Sequence, residues 1–122
     1  MDKAQALYQF WNSFNIPAYD QSTVPEDAQM PYITYEMSED MLDNDLLLSA
    51  SIWYNSLSWK EITLKANEIS RYVTLIHTPI PLDGGGYLWV KRGSPFMQRM
   101  SDENKYVRRI YINIQVEFLT AY

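Results

Sequence analysis

Residues 108–118, Arg-Arg-Ile-Tyr-Ile-Asn-Ile-Gln-Val-Glu-Phe, form the most regular stretch of this 122-residue chain. Apolar side chains alternate with polar ones from Ile110 to Phe118. Because successive strand side chains point to opposite faces of a sheet, this pattern predicts a strand with one apolar and one polar face. β-branched residues fill the apolar row, as a half-buried pleated surface favours. Such a strand needs neighbouring strands on both edges and a helical layer over its apolar face.

Two stretches have the periodicity of helices that pack on a sheet. The first, Lys3–Phe14, has its apolar side chains on one stripe and is stopped by Pro17. The second, Trp59–Ile76, has apolar residues at alternating spacings of three and four. Ser58 is placed to cap it, and Glu61, three residues later, can act as the reciprocal partner of a capping box.

Three further strands are predicted at residues 32–37, 46–55 and 88–91, the last of which can extend somewhat further. Polar, turn-rich or acidic composition predicts loops at 17–29, 38–45 and 96–105, and residues 92–95 should break the third strand.

The order α-β-β-α-β-β predicts one α+β domain spanning residues 1–122. We expect a four-stranded, mostly antiparallel sheet in the spatial order 1-2-4-3, with both helices packed on one face. Trp53 and the polar row of the last strand would then lie on the other face, facing solvent or another subunit.

Composition limits the function classes. The chain has no cysteine, which excludes disulfides, thiolate chemistry and cysteine-rich zinc sites. It has neither the pattern of a signal peptide nor a run of about eighteen apolar residues, so we expect a cytoplasmic origin and no membrane partner. Ten Tyr and four Trp suit either a large core or a protein interface.

The net charge of −5 is unevenly distributed. Residues 1–56 contain nine acids and one base, whereas residues 57–122 contain nine bases and six acids. Head-to-tail contact between copies would explain this asymmetry, and chance segregation is the alternative.

No residue cluster predicts catalysis or cofactor binding. His77 lies near the end of the second helix, where the dipole favours a cation, and a structural role explains it better than a catalytic one. Residues 84–86 are three glycines without the Lys-Ser/Thr pair of a phosphate loop, so they predict a turn. The acids Glu39, Asp40, Asp43 and Asp45 lack the EF-hand pattern, which favours a solvated acidic loop over a weak calcium site.

A basic segment, Lys91–Arg109, has aromatic residues interleaved with its bases. Such a segment can contact nucleic acid, because bases stack on aromatic rings while cations follow the phosphates. Contact with an acidic neighbouring subunit is the interpretation that we favour, since the chain as a whole is acidic.

The stretch 24–35, Val-Pro-Glu-Asp-Ala-Gln-Met-Pro-Tyr-Ile-Thr-Tyr, leads into the first predicted strand. Together with the short N-terminal helix and the long second helix, it resembles the tail-completion or tail-terminator proteins of long-tailed bacteriophages. The resemblance covers nearly the whole chain as a pattern of elements.

This resemblance implies a structural virion protein with no enzymatic activity and no cofactor. Family members form a hexameric ring that caps the tail tube, joins it to the head connector and lets DNA pass without sequence-specific binding. The protein would then be found at the head–tail junction of the virion, and in the host cytoplasm during assembly. Alternatives are a head–tail connector or minor tail protein, and a small regulatory module that binds protein or nucleic acid.

In a ring, each subunit presents two different patches to its neighbours. The predicted inter-subunit or partner contacts are Glu39, Asp40, Asp43, Asp45, Trp53, Trp89, Lys91, Arg92, Arg99, Arg108 and Arg109. Reversing Arg108 and Arg109 to Glu is accordingly expected to disrupt assembly.

Overall fold

The computed structural model describes residues 3–37, 45–75, 80–82 and 86–119. Helix α1 (Lys3–Trp11) continues into a 3₁₀ turn (Asn12–Phe14), and the second helix is α2 (Lys60–Leu75). The strands are β1 (Ala18–Asp20), β2 (Tyr32–Tyr35), β3 (Asp45–Asn55), β4 (Ile80–Leu82), β5 (Gly86–Met100) and β6 (Val107–Leu119). None of the helices in these described ranges is long and apolar enough to cross a membrane.

The strands form a six-stranded sheet in the order β1-β2-β3-β6-β5-β4. β1 and β2 are parallel, and the other neighbours are antiparallel. The four strands predicted from the sequence are β2, β3, β5 and β6, and their order β2-β3-β6-β5 is the predicted one. The regular strand β6 therefore lies in the interior of the sheet, between β3 and β5.

The prediction of only four strands was wrong, because the sheet gains a short strand at each edge. β1 lies in the predicted loop 17–29, and its three residues are too few to show a strand periodicity. Hydrogen bonds on either side of it attach it to β2: Ile33 N donates to Pro17 O at 2.9 Å, and Gln21 N donates to Tyr35 O at 2.9 Å. β4 contains Pro81, which an edge strand accommodates because it needs ladder hydrogen bonds on one side only.

β5 is also longer than the predicted strand 88–91, and it continues through the expected break at residues 92–95. Arg92 pairs with Ile114 and Met97 pairs with Ile112, so residues 93–96 oppose Asn113 alone. The glycine and proline that predicted a break are thus accommodated in a bulge, beyond which the strand resumes.

The bulge fits tightly against β6. Asn113 Nδ2 donates a hydrogen bond to the carbonyl oxygen of Pro95 at 2.9 Å. A Cβ atom on Gly93 would lie 2.8 Å from the carbonyl oxygen of Asn113, closer than real contacts allow. Position 93 therefore requires glycine because of the close backbone approach.

Both helices pack on one face of the sheet, as predicted. The inward residues of β6, from Ile110 to Phe118 at every second position, are at most 5% exposed. They share one core with Leu48, Ala50 and Ile52 of β3 and with the apolar stripes of the helices. The alternation that identified β6 therefore distinguishes its two faces correctly.

The two helices meet the core through different side chains. α1 and its 3₁₀ turn contribute Phe10, Trp11 and Phe14, and both Phe rings contact Tyr72 of α2. α2 begins one residue after the predicted start, and Ser58 caps it as predicted: its Oγ accepts a hydrogen bond from the backbone N–H of Lys60 at 3.0 Å. The backbone N–H of Ser58 donates to Ser56 Oγ at 3.0 Å, so the reciprocal bond to Glu61 expected of a capping box is replaced by this one. α2 lies over β3, β6 and β5, whereas α1 lies against the two edge strands, β1 and β4, so the sheet curls around the core.

Candidate functional site: the open face of the sheet

The face of the sheet opposite the helices carries aromatic, charged and polar side chains. We call this set the open face. Strand register assigns to it Tyr32, Thr34, Ser49, Ser51, Trp53, Trp89, Lys91, Arg109, Tyr111, Asn113, Gln115 and Glu117.

Arg109 is at the centre of a contact network on the open face. Its Nε donates a hydrogen bond to Ser51 Oγ at 3.0 Å, and its guanidinium lies 4.6 Å from the ring centroid of Trp53 and 5.9 Å from that of Tyr111. Trp53 Nε1 in turn donates to Thr34 Oγ1 at 2.9 Å. Because Ser51 is only 2% exposed, Arg109 satisfies a hydroxyl that water cannot reach.

At the other end of the open face, Lys91 Nζ forms an ion pair with Glu117 at 2.7 Å. The same ammonium group lies 5.1 Å from the ring centroid of Trp89. The two charged side chains are 42% and 34% exposed, so the pair contributes at most about 1 kcal/mol to stability. Trp89 Nε1 is buried and has no hydrogen-bond partner among the described residues.

Two arginines of β5 lie on the helix side of the sheet. Arg92 Nη2 donates to Ser70 Oγ of α2 at 2.6 Å, and its guanidinium lies 4.7 Å from the ring centroid of Phe96. Arg99 lies 4.7 Å from the ring centroid of Trp59, just before α2. Both arginines are exposed, so they form a cationic rim beside α2.

Arg108 of β6 also faces the helix side. Its guanidinium lies 5.2 Å from the ring centroid of Trp59, and its Nη2 donates to the carbonyl oxygen of Leu57 at 2.7 Å. Arg108 Nε is buried and has no hydrogen-bond partner among the described residues. The side chain therefore fastens β6 to the segment that precedes α2.

The structure divides the predicted basic segment between two faces. Side chains of consecutive strand residues point to opposite faces of the sheet. Lys91 and Arg109 therefore lie on the open face, together with Trp53 and Trp89, whereas the other arginines of the basic segment lie on the opposite face. The predicted contacts on the helix side are Arg92, Arg99 and Arg108.

The predicted acidic contacts cannot be placed in the same way. Glu39, Asp40 and Asp43 lie outside the described residues, as does His77, and Asp45 is described only as the first backbone position of β3. Contact of any predicted residue with a partner stays a prediction.

Sequence reasoning missed Ser51 and Thr34, the two hydroxyls of the Arg109 network. The alternation of β3 places Ser51 on the face of Trp53, which was visible in the sequence. Its pairing with Tyr111, next to Arg109, depends on the register between β3 and β6, and no local signal reveals that register.

Within the described residues, shallow grooves lie beside the outer surface of α2, of which two concern this face. The larger, of about 600 Å³, has an apolar wall of Phe14, Leu64 and Tyr72. The smaller, of about 270 Å³, includes Tyr54 and Glu61. Burial raises the pKa of the Tyr54 phenol above its ordinary value of 10.0, and the nearby Glu61 adds to that shift. The phenol is therefore neutral at pH 7. Among the described residues, no three or more His, Asp or Glu side chains are grouped to hold a metal ion.

Comparison with known proteins bears on the fold. No protein-family model matches the sequence, and no curated protein matches it. The structure is similar to a chain in the virion of a native gene transfer agent particle, with a TM-score of 0.56 and 14% sequence identity. The similarity covers 97% of this chain and 86% of that chain. At this identity, it shows that the two chains share a fold along nearly their whole length.

Proposed function

We propose that this chain is a structural virion protein that acts as a tail terminator and has no catalytic role. The observation that carries the proposal is the shared fold with a chain of a gene transfer agent virion, over 97% of this chain. The α-β-β-α-β-β pattern and the stretch 24–35 support the finer assignment, since both resemble phage tail-terminator proteins.

The open face supports an assembly function. Exposed or half-buried Trp, Tyr and Arg side chains are enriched in protein interfaces, where they provide large contact areas and several hydrogen bonds. Here Trp53, Arg109 and Tyr111 form such a group, and their rings and guanidinium are already held in place by contacts within the subunit. A preorganised surface of this kind loses little side-chain entropy when it binds.

In the proposed role, copies of the chain form a ring, expected to be a hexamer. The ring caps the tail tube, joins it to the head connector and surrounds the path of DNA without reading its sequence. The protein is accordingly located at the head–tail junction of the virion and assembles there from the host cytoplasm.

Two measurements test the proposal. Light scattering over a concentration series should give a mass six times that of one chain at the highest concentrations. Addition of the protein to polymerising tail-tube protein should arrest tube growth. Tubes that grow to the same lengths with and without the protein would contradict the terminator role.

The shared fold is equally compatible with another virion component, such as a head–tail connector or minor tail protein. The tube-growth assay separates these alternatives, because only a terminator caps the open end of the tube. Binding to the connector without any effect on tube growth would favour the connector role.

A further inference from the structure

The two lateral edges of the sheet carry opposite charge. Residues 18–37, which include β1 and β2, contain four acids and no base: Asp20, Glu26, Asp27 and Glu36. β5, near the other edge, contains three bases and no acid: Lys91, Arg92 and Arg99. The charge asymmetry seen along the sequence is therefore, in the fold, an asymmetry from one side of the sheet to the other.

The two sides are not paired with each other within one subunit. β1 and β5 are separated by four strand spacings in the sheet order. At about 4.8 Å per spacing, that is roughly 19 Å along the sheet. The distance through space is shorter, because the sheet curls and α1 contacts both edge strands. Among the described residues, however, no ion pair joins a side chain of residues 18–37 to one of β5.

The acids most available for contact are Glu26 and Asp27. They occupy the corner of a turn that is closed by a hydrogen bond from Ala28 N to Pro25 O, at 3.1 Å. Both side chains are exposed. Since the turn belongs to the connection between β1 and β2, it presents two carboxylates on the acidic side of the sheet.

The bases most available for contact are Arg92 and Arg99. Both are exposed, and neither forms an ion pair with a carboxylate among the described residues. Their contacts with Ser70, Phe96 and Trp59 hold the guanidiniums in position but supply no negative charge. Lys91 differs, because it already pairs with a carboxylate of its own subunit.

Addition of strands from one subunit to the next is disfavoured at β1 and at β4. The side-chain amide of Asn12 pairs with the backbone of β1, accepting from Ala18 N at 3.0 Å and donating to Ala18 O at 3.3 Å. At the other edge, Pro81 lies in the middle of β4 and has no N–H to donate. β4 pairs only with residues 86–88 of β5, so this protection does not extend to Arg92 and Arg99, where the contact proposed below is made through side chains.

We propose that copies of this chain associate head to tail, with the acidic edge of one subunit against the basic edge of the next. We define the acidic edge by Glu26 and Asp27, and the basic edge by Arg92 and Arg99. Two different patches on each subunit make a heterologous contact, which closes into a ring when the rotation permits. The proposal rests on the proposed ring and names the charges that join its subunits.

Charge reversal at each edge tests this contact. One variant carries Glu26→Lys and Asp27→Lys, and the other carries Arg92→Glu and Arg99→Glu. Each variant alone places like charges against each other, so its self-association should weaken at least about tenfold. Arg71→Glu is the control, because Arg71 is exposed in the α2 groove that Ser13 and Phe14 line and belongs to neither charged edge, and its reversal should leave association within about twofold.

Mixing the two variants gives the decisive result. In an equimolar mixture, each intact edge meets an intact edge and each reversed edge meets a reversed edge, so association should return to within about threefold of the wild-type value. Misfolding of a variant would not be corrected by mixing. Sedimentation velocity measures the masses, and circular dichroism checks that each variant is folded. If Arg92→Glu destabilises the fold through Ser70, Arg99→Glu alone replaces the double variant.

Three results would each overturn the proposal. The first is a mixture of the two variants that associates no better than either variant alone. The second is wild-type association that does not change between about 50 and 500 mM salt, and the third is a wild-type chain that is monomeric at about 1 mM in low salt. The terminator role is tested separately by tube growth. If the wild-type protein arrests tube growth and the charge-reversed variants associate as well as the wild type, the edge contact alone is refuted. Association through the edges without arrest of tubes would refute the terminator role alone.

Discussion

Replacement of Arg109 by Ala should destabilise the fold, even though this residue lies on the face that we assign to assembly. The guanidinium supplies the hydrogen bond to Ser51 Oγ at 3.0 Å and lies over the ring of Trp53 at 4.6 Å. Truncation removes both contacts at once.

The size of the effect follows from burial. Ser51 is 2% exposed, so its hydroxyl would be left without the Arg109 donor, which costs about 1–3 kcal/mol. Loss of the stacking on Trp53 adds about 0.5–1 kcal/mol at a partly exposed site. We expect the free energy of unfolding to fall by about 1.5–4 kcal/mol in total.

A double-mutant cycle in urea isolates the Arg109–Ser51 contact. In a Ser51→Ala background the buried hydroxyl is absent, so Arg109→Ala should then lower the free energy of unfolding by only the stacking contribution of about 0.5–1 kcal/mol. The coupling energy between the two side chains is therefore expected to be about 1–3 kcal/mol. Arg71→Ala, at an exposed position on α2, is the control and should change stability by less than about 0.5 kcal/mol.

A structural role for Arg109 is refuted if Arg109→Ala shifts the free energy of unfolding by less than about 0.5 kcal/mol, or if the cycle shows no coupling. This role also changes how assembly should be tested. Reversal of Arg108 and Arg109 to Glu would break contacts to Ser51 and Leu57 within the subunit, so loss of the ring would not identify an inter-subunit contact.

Three further predictions concern the bulge, the β1 edge of the sheet and a buried tyrosine. Gly93→Ala should destabilise the chain by at least about 1 kcal/mol in urea unfolding, because the added methyl group meets the backbone of Asn113 at 2.8 Å; an unchanged midpoint would mean that the bulge relaxes freely. Asn12→Ala removes both side-chain hydrogen bonds to Ala18, so hydrogen exchange of the Ala18 amide should become faster while that of the β6 amides changes less. Equal protection of the Ala18 amide in the wild type and in Asn12→Ala would contradict this. Burial raises the pKa of the Tyr35 phenol, so it stays protonated in the folded chain when the unfolded chain has already ionised. Stability should therefore be independent of this group well below pH 10 and fall as the pH rises through about 10, and Tyr35→Phe should reduce that fall in urea titrations at each pH.

The central architecture could be predicted from the sequence because its signals are local. Alternation identified β6 and the face of it that is buried, and the apolar stripe and Ser58 located α2. The order β2-β3-β6-β5 then followed from two hairpins joined by a helical crossover. Each of these inferences needs only the side chains of one element and the short connections between elements.

The edges of the sheet could not be predicted because they depend on tertiary context. β1 has three residues, and Asn12, six positions before Ala18, contributes its edge hydrogen bonds. The continuation of β5 past Pro95 depends on Asn113 of the next strand, which the local sequence of β5 does not reveal.

The candidate site was found in part. Trp53, Trp89, Lys91 and Arg109 share the open face, but the neighbouring arginines do not. That division was available from the sequence, since alternation within a strand separates Arg108 from Arg109. Grouping all the bases in one patch followed their order along the chain and overlooked the geometry of the strand.

The bulge in β5 reverses which residues of the strand, even-numbered or odd-numbered, face the helices. Before it, even-numbered residues such as Val90 and Arg92 are on the helix side; after it, odd-numbered residues such as Met97 and Arg99 are. The bulge holds an odd excess of residues, and the pairing with β6 resumes beyond it with the apolar side chains turned inward. The face on which Arg99 lies is therefore set by its pairing with Ile110 and not by counting from Arg92, so a change of one residue within the bulge should alter the size of the bulge and leave Arg99 on the rim beside α2.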